Sequence, residues 1–153
     1  MIYSWIKDKV DKEKIEFKLI FKMSLHGNVC KKFHNICDNV GPTLILIDAN
    51  SNKIFGGFTP LSWKPEANDE KEYSKLDKDN LTFIFSLNQM KKYDVDAINC
   101  CSISGPNFGN NGFGINEQMS SGFLFQTQNI SFLGKNDEDA FEVNEMEIFK
   151  VIY

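Results

Sequence analysis

The chain has 153 residues, enough for one ordinary domain with a core that needs no disulfide or metal staple. A hydrophobic share of 42% with 14 phenylalanines points to a packed, aromatic interior rather than a disordered segment. The net charge of -4 argues against a nucleic-acid binder, which needs a concentrated basic face, and Lys12-Glu13-Lys14 and Lys91-Lys92 read as solvated surface.

The first fourteen residues carry a charge every few positions and no apolar stretch of the secretory kind. No run approaches the ~18 apolar residues of a membrane span. The expectation is a cytoplasmic protein whose four cysteines are reduced, so the sequons at Asn80 and Asn129 have no meaning.

In chain order, Ile2, Trp5, Ile6 and Val10 share one face of a short amphipathic helix over residues 2–11. Ile15, Phe17, Leu19, Phe21 and Met23 then alternate strictly, the pattern of a strand with one face buried. Residues 24–28 read as a turn, with Asn28 placed to cap the helix that Val29, Phe33, Ile36 and Cys37 describe. Gly41 and Pro42 stop that helix. The run Thr43–Ile47 is apolar throughout, as in a strand covered on both faces. Turn chemistry over residues 48–53 and the run 54–58 make a hairpin with a slightly long loop. Gly56-Gly57 inside its second strand marks a bulge or a close packing approach.

Residues 66–80 read as a charged loop, and 81–87 as a strand with Leu81, Phe83, Phe85 and Leu87 on one side. Short β segments follow around 97–102, 112–115 and 122–126. The last strand, from Phe141, shifts phase between Val143 and Met146, which predicts a bulge. The sum is one mainly β domain with a few helices, a two-sheet antiparallel β-sandwich with flanking N-terminal helices. Residues 1–14 form the helical entry and 15–153 the sandwich body.

Three places could carry chemistry. Cys30, His34 and Cys37 put soft metal ligands on nearby helix turns, with His26 upstream, but the spacing is not a standard zinc knuckle. A Cys37–His34 redox or hydrolytic dyad needs a thiolate in an electropositive, open setting, and Lys31 and Lys32 fall on the opposite, wet side. The simpler reading makes the cysteines small buried hydrophobes and gives His34 a bond to a neighbouring loop. The segment 104–115 (SGPNFGNNGFGI) lacks the Gly-Lys-Ser/Thr of a phosphate loop and the spacing of a dinucleotide fingerprint. It is either a binding loop, through Asn107, Phe108, Asn110, Asn111 and Phe113, or a wide connection that packs its aromatics inward. Asp77 and Asp79 begin like a calcium loop without its later ligands, so residues 66–79 read as solvated surface. Trp63 reads as a core anchor at the hairpin exit. No catalytic set, metal site or cofactor motif stands out.

Five blocks in order, FHNICDNVGPTLILI, KIFGGFTPLSW, FIFSL, SGPNFGNNGFGI and FEVNEMEIFKV, resemble the TLDc domain of the oxidation-resistance proteins, over residues 15–151. His26 stands where that family commonly has an acidic residue, and Phe108-Gly109-Asn110-Asn111 replaces a more usual triple glycine. The resemblance implies a β-sandwich with flanking helices and a non-catalytic, monomeric interaction module without a cofactor. It also implies a link to oxidative-stress resistance and to the peripheral subunits of the vacuolar-type proton ATPase (V-ATPase), which such domains bind and modulate.

Overall fold

The structure, a computed structural model, describes residues 1–65, 73–109, 111–124 and 140–153. The chain opens with helix α1 (Ile2–Val10), whose apolar face carries Ile2, Trp5, Ile6 and Val10 and which ends on Asp11 in the left-handed region at φ 51°. Strand β1 (Glu16–Lys22) follows, then a single helical turn, α2 (Met23–His26), where the sequence predicts only a turn. Helix α3 (Cys30–Cys37) begins without a side-chain cap: Val29, not Asn28, occupies the capping position.

Strands β2 (Thr43–Ala49) and β3 (Lys53–Thr59) form the expected hairpin, in continuous register from Thr43–Thr59 to Ala49–Lys53. Its loop is tighter than expected because Ser51 and Asn52 both take left-handed conformations, at φ 59° and 56°. The unbroken register also decides between the two readings of Gly56-Gly57, since no bulge lies there. The ring of Phe108 covers Gly57 so closely that a Cβ at that position would sit 2.5 Å from Cζ.

Within the stretch expected to be a charged loop, Tyr73–Leu76 forms a strand, β4, paired with β7 (Ala97–Cys100) in a separate two-stranded ribbon. Tyr73 is half-buried and Leu76 exposed, so the strand shows none of the apolar alternation that a buried face imposes. β5 (Phe83–Ser86) lies where the sequence places it, and β6 (Lys91–Asp94), unpredicted because three of its four residues are charged, pairs with it. β8 (Phe113–Ile115) and β9 (Ser121–Leu124) precede β10 (Ala140–Ile152).

The main sheet runs β6-β5-β3-β2-β10-β9-β8, all antiparallel, with β1 also on β10. β10 is the spine. One edge pairs with β2 along Val143–Lys150, and the opposite edge is shared by β9 at Ala140–Glu142 and β1 at Glu147–Ile152. The predicted phase shift is present as a register break between Val143 and Glu145. The two halves of the expected sandwich are therefore joined through β10 rather than separate. They curl over one core: the ring of Phe55 on β3 meets Phe113 on β8 at 5.2 Å and Phe141 on β10 at 4.9 Å.

Alternation sorts the buried side chains onto two faces. Leu44, Phe58, Phe83, Phe85 and Val151 face α1 through Ile6, Trp5 and Val10. Ile45, Ile47, Phe55, Ile84, Met146 and Ile148 face α3 and the segment from Cys100 to Met119. β2 is thus covered on both sides, as its continuous apolar run requires. Among the described residues no helix is long and apolar enough to cross a membrane.

Candidate functional site: a helix and a glycine loop joined through His34

Helix α3 buries Cys30, Phe33 and Cys37, spaced three and four residues apart, and leaves Lys31 and Lys32 to solvent. Its first turn is held by the backbone N–H of Cys30, which donates to the carbonyl of Glu117 at 3.0 Å. Trp63 fills the space beside it, nearly without exposure. Its indole N–H donates to Thr43 Oγ1 at 2.9 Å, and its ring meets Phe33 edge-on at 5.9 Å and Phe108 at 5.4 Å.

His34 is the link between α3 and the glycine loop. Its Nδ1 faces Asp38 Oδ1 at 2.8 Å, one helical turn on. Its Nε2 faces the carbonyl oxygens of Cys101 at 2.8 Å and Ser104 at 3.0 Å. Carbonyls and a carboxylate accept but do not donate, so the contacts favour the imidazolium form, which offers an N–H on both sides of the ring. Burial opposes that charge, but the bond and charge of Asp38 with the two carbonyls outweigh it, and the pKa of His34 is raised. In that form neither nitrogen has a lone pair to offer a metal or a thiol.

The cysteines fit the same account. All four are free and buried. Burial pushes the Cys37 thiol up to about 12, with the charge of Asp38 adding to it, and burial also raises Cys30, whose Sγ lies 3.7 Å from the Ser102 carbonyl. These contacts speak against the alternative of a Cys37–His34 dyad, because burial raises the thiol and the imidazole is engaged by Asp38 and the loop carbonyls. For the alternative of a zinc site at Cys30, His34 and Cys37, the described residues place no three His, Cys, Asp or Glu side chains as metal ligands.

The loop is stitched into the fold by its backbone. Gly105 N–H donates to Ile115 O, Ile115 N–H to Pro106 O, and Phe108 N–H to Phe113 O at 2.8 Å, while Asn99 N–H reaches Asn107 O. Asn107 is nearly buried, and its Oδ1 accepts from the N–H of Gly109, which sits at φ 67°. Phe108 and Phe113 are both fully buried and lie 5.0 Å apart. The inward-packing arrangement is therefore the one these rings adopt, and they do not form an outer surface. Asn111 is exposed, and Asn110 lies outside the described residues.

Two polar anchors escaped the sequence reading. Asp38 is legible afterwards from its i,i+4 spacing to His34. Asp77, set aside above as solvated surface, is buried, and its two carboxylate oxygens accept from the N–H groups of Asp79 and Thr82. This fastens a turn and needs no calcium.

The family model of the TLDc domain matches residues 1–152. The chain belongs to the TLDc family. A mouse (Mus musculus) protein, MTOR-associated protein MEAK7, is 28% identical over 74 residues, a match that takes in 46% of this chain and 14% of the mouse protein. The TLDc chain thus matches only a small part of that relative, in keeping with a module that recurs inside longer proteins.

Proposed function

We propose that this TLDc chain is a protein-interaction module that binds the peripheral sector of a vacuolar-type proton ATPase and so contributes to resistance against oxidative stress. The observation that carries the reading is the family match over residues 1–152. The mouse relative, whose name records association with another protein, supports protein association as a shared role.

The state of the reactive side chains agrees, because His34 and Cys37 are arranged to hold structure together. The loop beside α3 supplies part of the binding surface through exposed Asn111, and the neighbouring Asn110, outside the described residues, is assigned to it from the sequence. Asn107, Phe108 and Phe113 hold the loop's shape from beneath.

The test is direct binding of the purified chain to a purified peripheral sector of the ATPase, by interferometry or co-sedimentation. Saturable binding that Asn111→Arg weakens, with the melting temperature unchanged, is the expected result. No association at micromolar concentrations would reject the ATPase as the partner.

A further inference from the structure

β1 is an edge strand with unusual dress. Among the described residues it pairs only with β10, leaving its other edge unpaired. Edge strands are commonly blunted by charge, yet here two large apolar side chains lie on the outer half of the strand, Phe17 at 37% and Leu19 at 44% exposure. Tyr3 of α1 lies edge-on to Phe17 at 6.3 Å and is itself 40% exposed, so the apolar strip continues onto the helix.

The direction of the backbone groups follows from the ladder. Val151 on β10 donates its N–H to Pro42 O, away from β1. Its partner across the ladder is Phe17, and that of Phe149 is Leu19. In an antiparallel pair both partners turn their N–H and C=O the same way relative to the ladder, toward each other or apart. Phe17 and Leu19 therefore direct theirs to the open edge. Glu16 and Lys18, opposite Ile152 and Lys150, direct theirs inward.

We infer that the open edge of β1 pairs antiparallel with β1 of a second copy of this chain, about a twofold axis at Phe17. In that register Phe17 lies opposite Phe17, Glu16 opposite Lys18, and Ile15 opposite Leu19, each pair occurring in both directions. Both charge pairs are complementary, and the exposed Phe17 rings close the apolar strip against each other. Moving the axis one residue, to Lys18, would set Lys18 against itself and Glu16 against Ile20, and moving it to Leu19 would carry the ladder across the irregularity between Leu19 and Phe21, so charge and backbone together favour the axis at Phe17. Within one chain Lys18 stands opposite Lys150 with no carboxylate across the ladder, and Glu16 of the second copy, exposed beside Lys14 of its own chain at 2.6 Å, can supply one. The register break between Leu19 and Phe21 ends the shared ladder. Such a dimer departs from the monomer expected at the level of the sequence, which could not show that β1 lies at an edge.

The test is sedimentation equilibrium of the whole chain with charge variants, each checked for an unchanged melting temperature. The wild type should show a concentration-dependent monomer–dimer equilibrium. Glu16→Lys or Lys18→Glu, each replacing two attractive pairs by repulsive ones, should weaken it by about tenfold. The double exchange Glu16→Lys with Lys18→Glu should restore it, and mixing the two single variants should give a heterodimer. A chain that stays monomeric overturns the inference and leaves the edge to a strand from another protein. A dimer equally strong in both single variants overturns it too, by placing the contact elsewhere.

Discussion

Phe108 is the position where a loop residue and a core residue are hardest to tell apart, and Phe108→Ala separates the two. The ring is fully buried, 5.0 Å from Phe113 and 5.4 Å from Trp63, and rests on Gly57 of β3. Truncating a buried phenylalanine costs about 3–5 kcal/mol, including the cavity left behind. For a domain of this size each kcal/mol lowers the melting temperature by roughly 2–4 °C, so the variant should melt about 6–20 °C below the wild type. The reciprocal change, Gly57→Ala, puts a methyl carbon 2.5 Å from Phe108 Cζ and should cost about 1–3 kcal/mol by overpacking.

The combination is more telling than either change. In Gly57→Ala with Phe108→Ala the new methyl enters the space the ring vacated, so the joint cost should fall below the sum by about 1–2 kcal/mol. Urea unfolding of the four proteins measures this, provided the slope stays constant. Strict additivity would refute the contact. A Phe108→Ala protein that melts within a degree of the wild type but no longer binds its partner would show that the ring works at the surface.

Three further outcomes follow from the region around α3. His34 has a folded pKa raised above its ordinary 6.5, so the folded state holds the proton more tightly. Its contribution is full below about pH 6.5 and is lost as pH rises through the raised folded value. The urea midpoint should fall across that window in the wild type and show a flatter profile in Asp38→Asn, and identical profiles would exclude the ion pair. Cys37, pushed up to about 12 and buried, should resist iodoacetamide at pH 8 until the chain is unfolded; rapid labelling in the native state, read by mass spectrometry, would contradict this. Trp63→Phe removes the indole donor to buried Thr43 Oγ1 and should cost about 1–3 kcal/mol, whereas a change below half a kcal/mol would show the bond to be dispensable.

What the sequence revealed depended on whether a residue's neighbours lie close in the chain. α1, α3, the β2–β3 hairpin and the β10 bulge were readable because periodicity is a local property. β4 and β6 were not, because edge strands rich in charge lack the alternation that burial imposes. The family was legible from the order of five blocks, and the match to residues 1–152 agrees. The candidate site divides along the same line. That His34 would bond a neighbouring loop was foreseeable from its helix position, but that Cys101 and Ser104 supply the carbonyls depends on contacts some seventy residues away. The Gly56-Gly57 pair told the sequence that something passes close by. It could not say that the visitor is Phe108.

That last contact explains why a loop with so many glycines and asparagines takes one shape. Phe33, Trp63, Phe108, Phe113, Phe55 and Phe141 form an unbroken chain of ring contacts, from α3 through the loop to the spine strand β10. Above it, His34 ties the start of the loop to α3 through its Nε2 contacts with the Cys101 and Ser104 carbonyls, while the partly buried ion pair with Asp38 at the end of α3 holds the ring in place. Apolar packing therefore fixes where the loop lies, and the imidazolium fixes its register against the helix. Deprotonating His34 leaves one N–H to share between Asp38 and the loop carbonyls, and so weakens only the second restraint. A binding surface on this loop should accordingly lose affinity as pH rises while the sheet beneath it stays folded, and Asp38→Asn should bring that loss to lower pH.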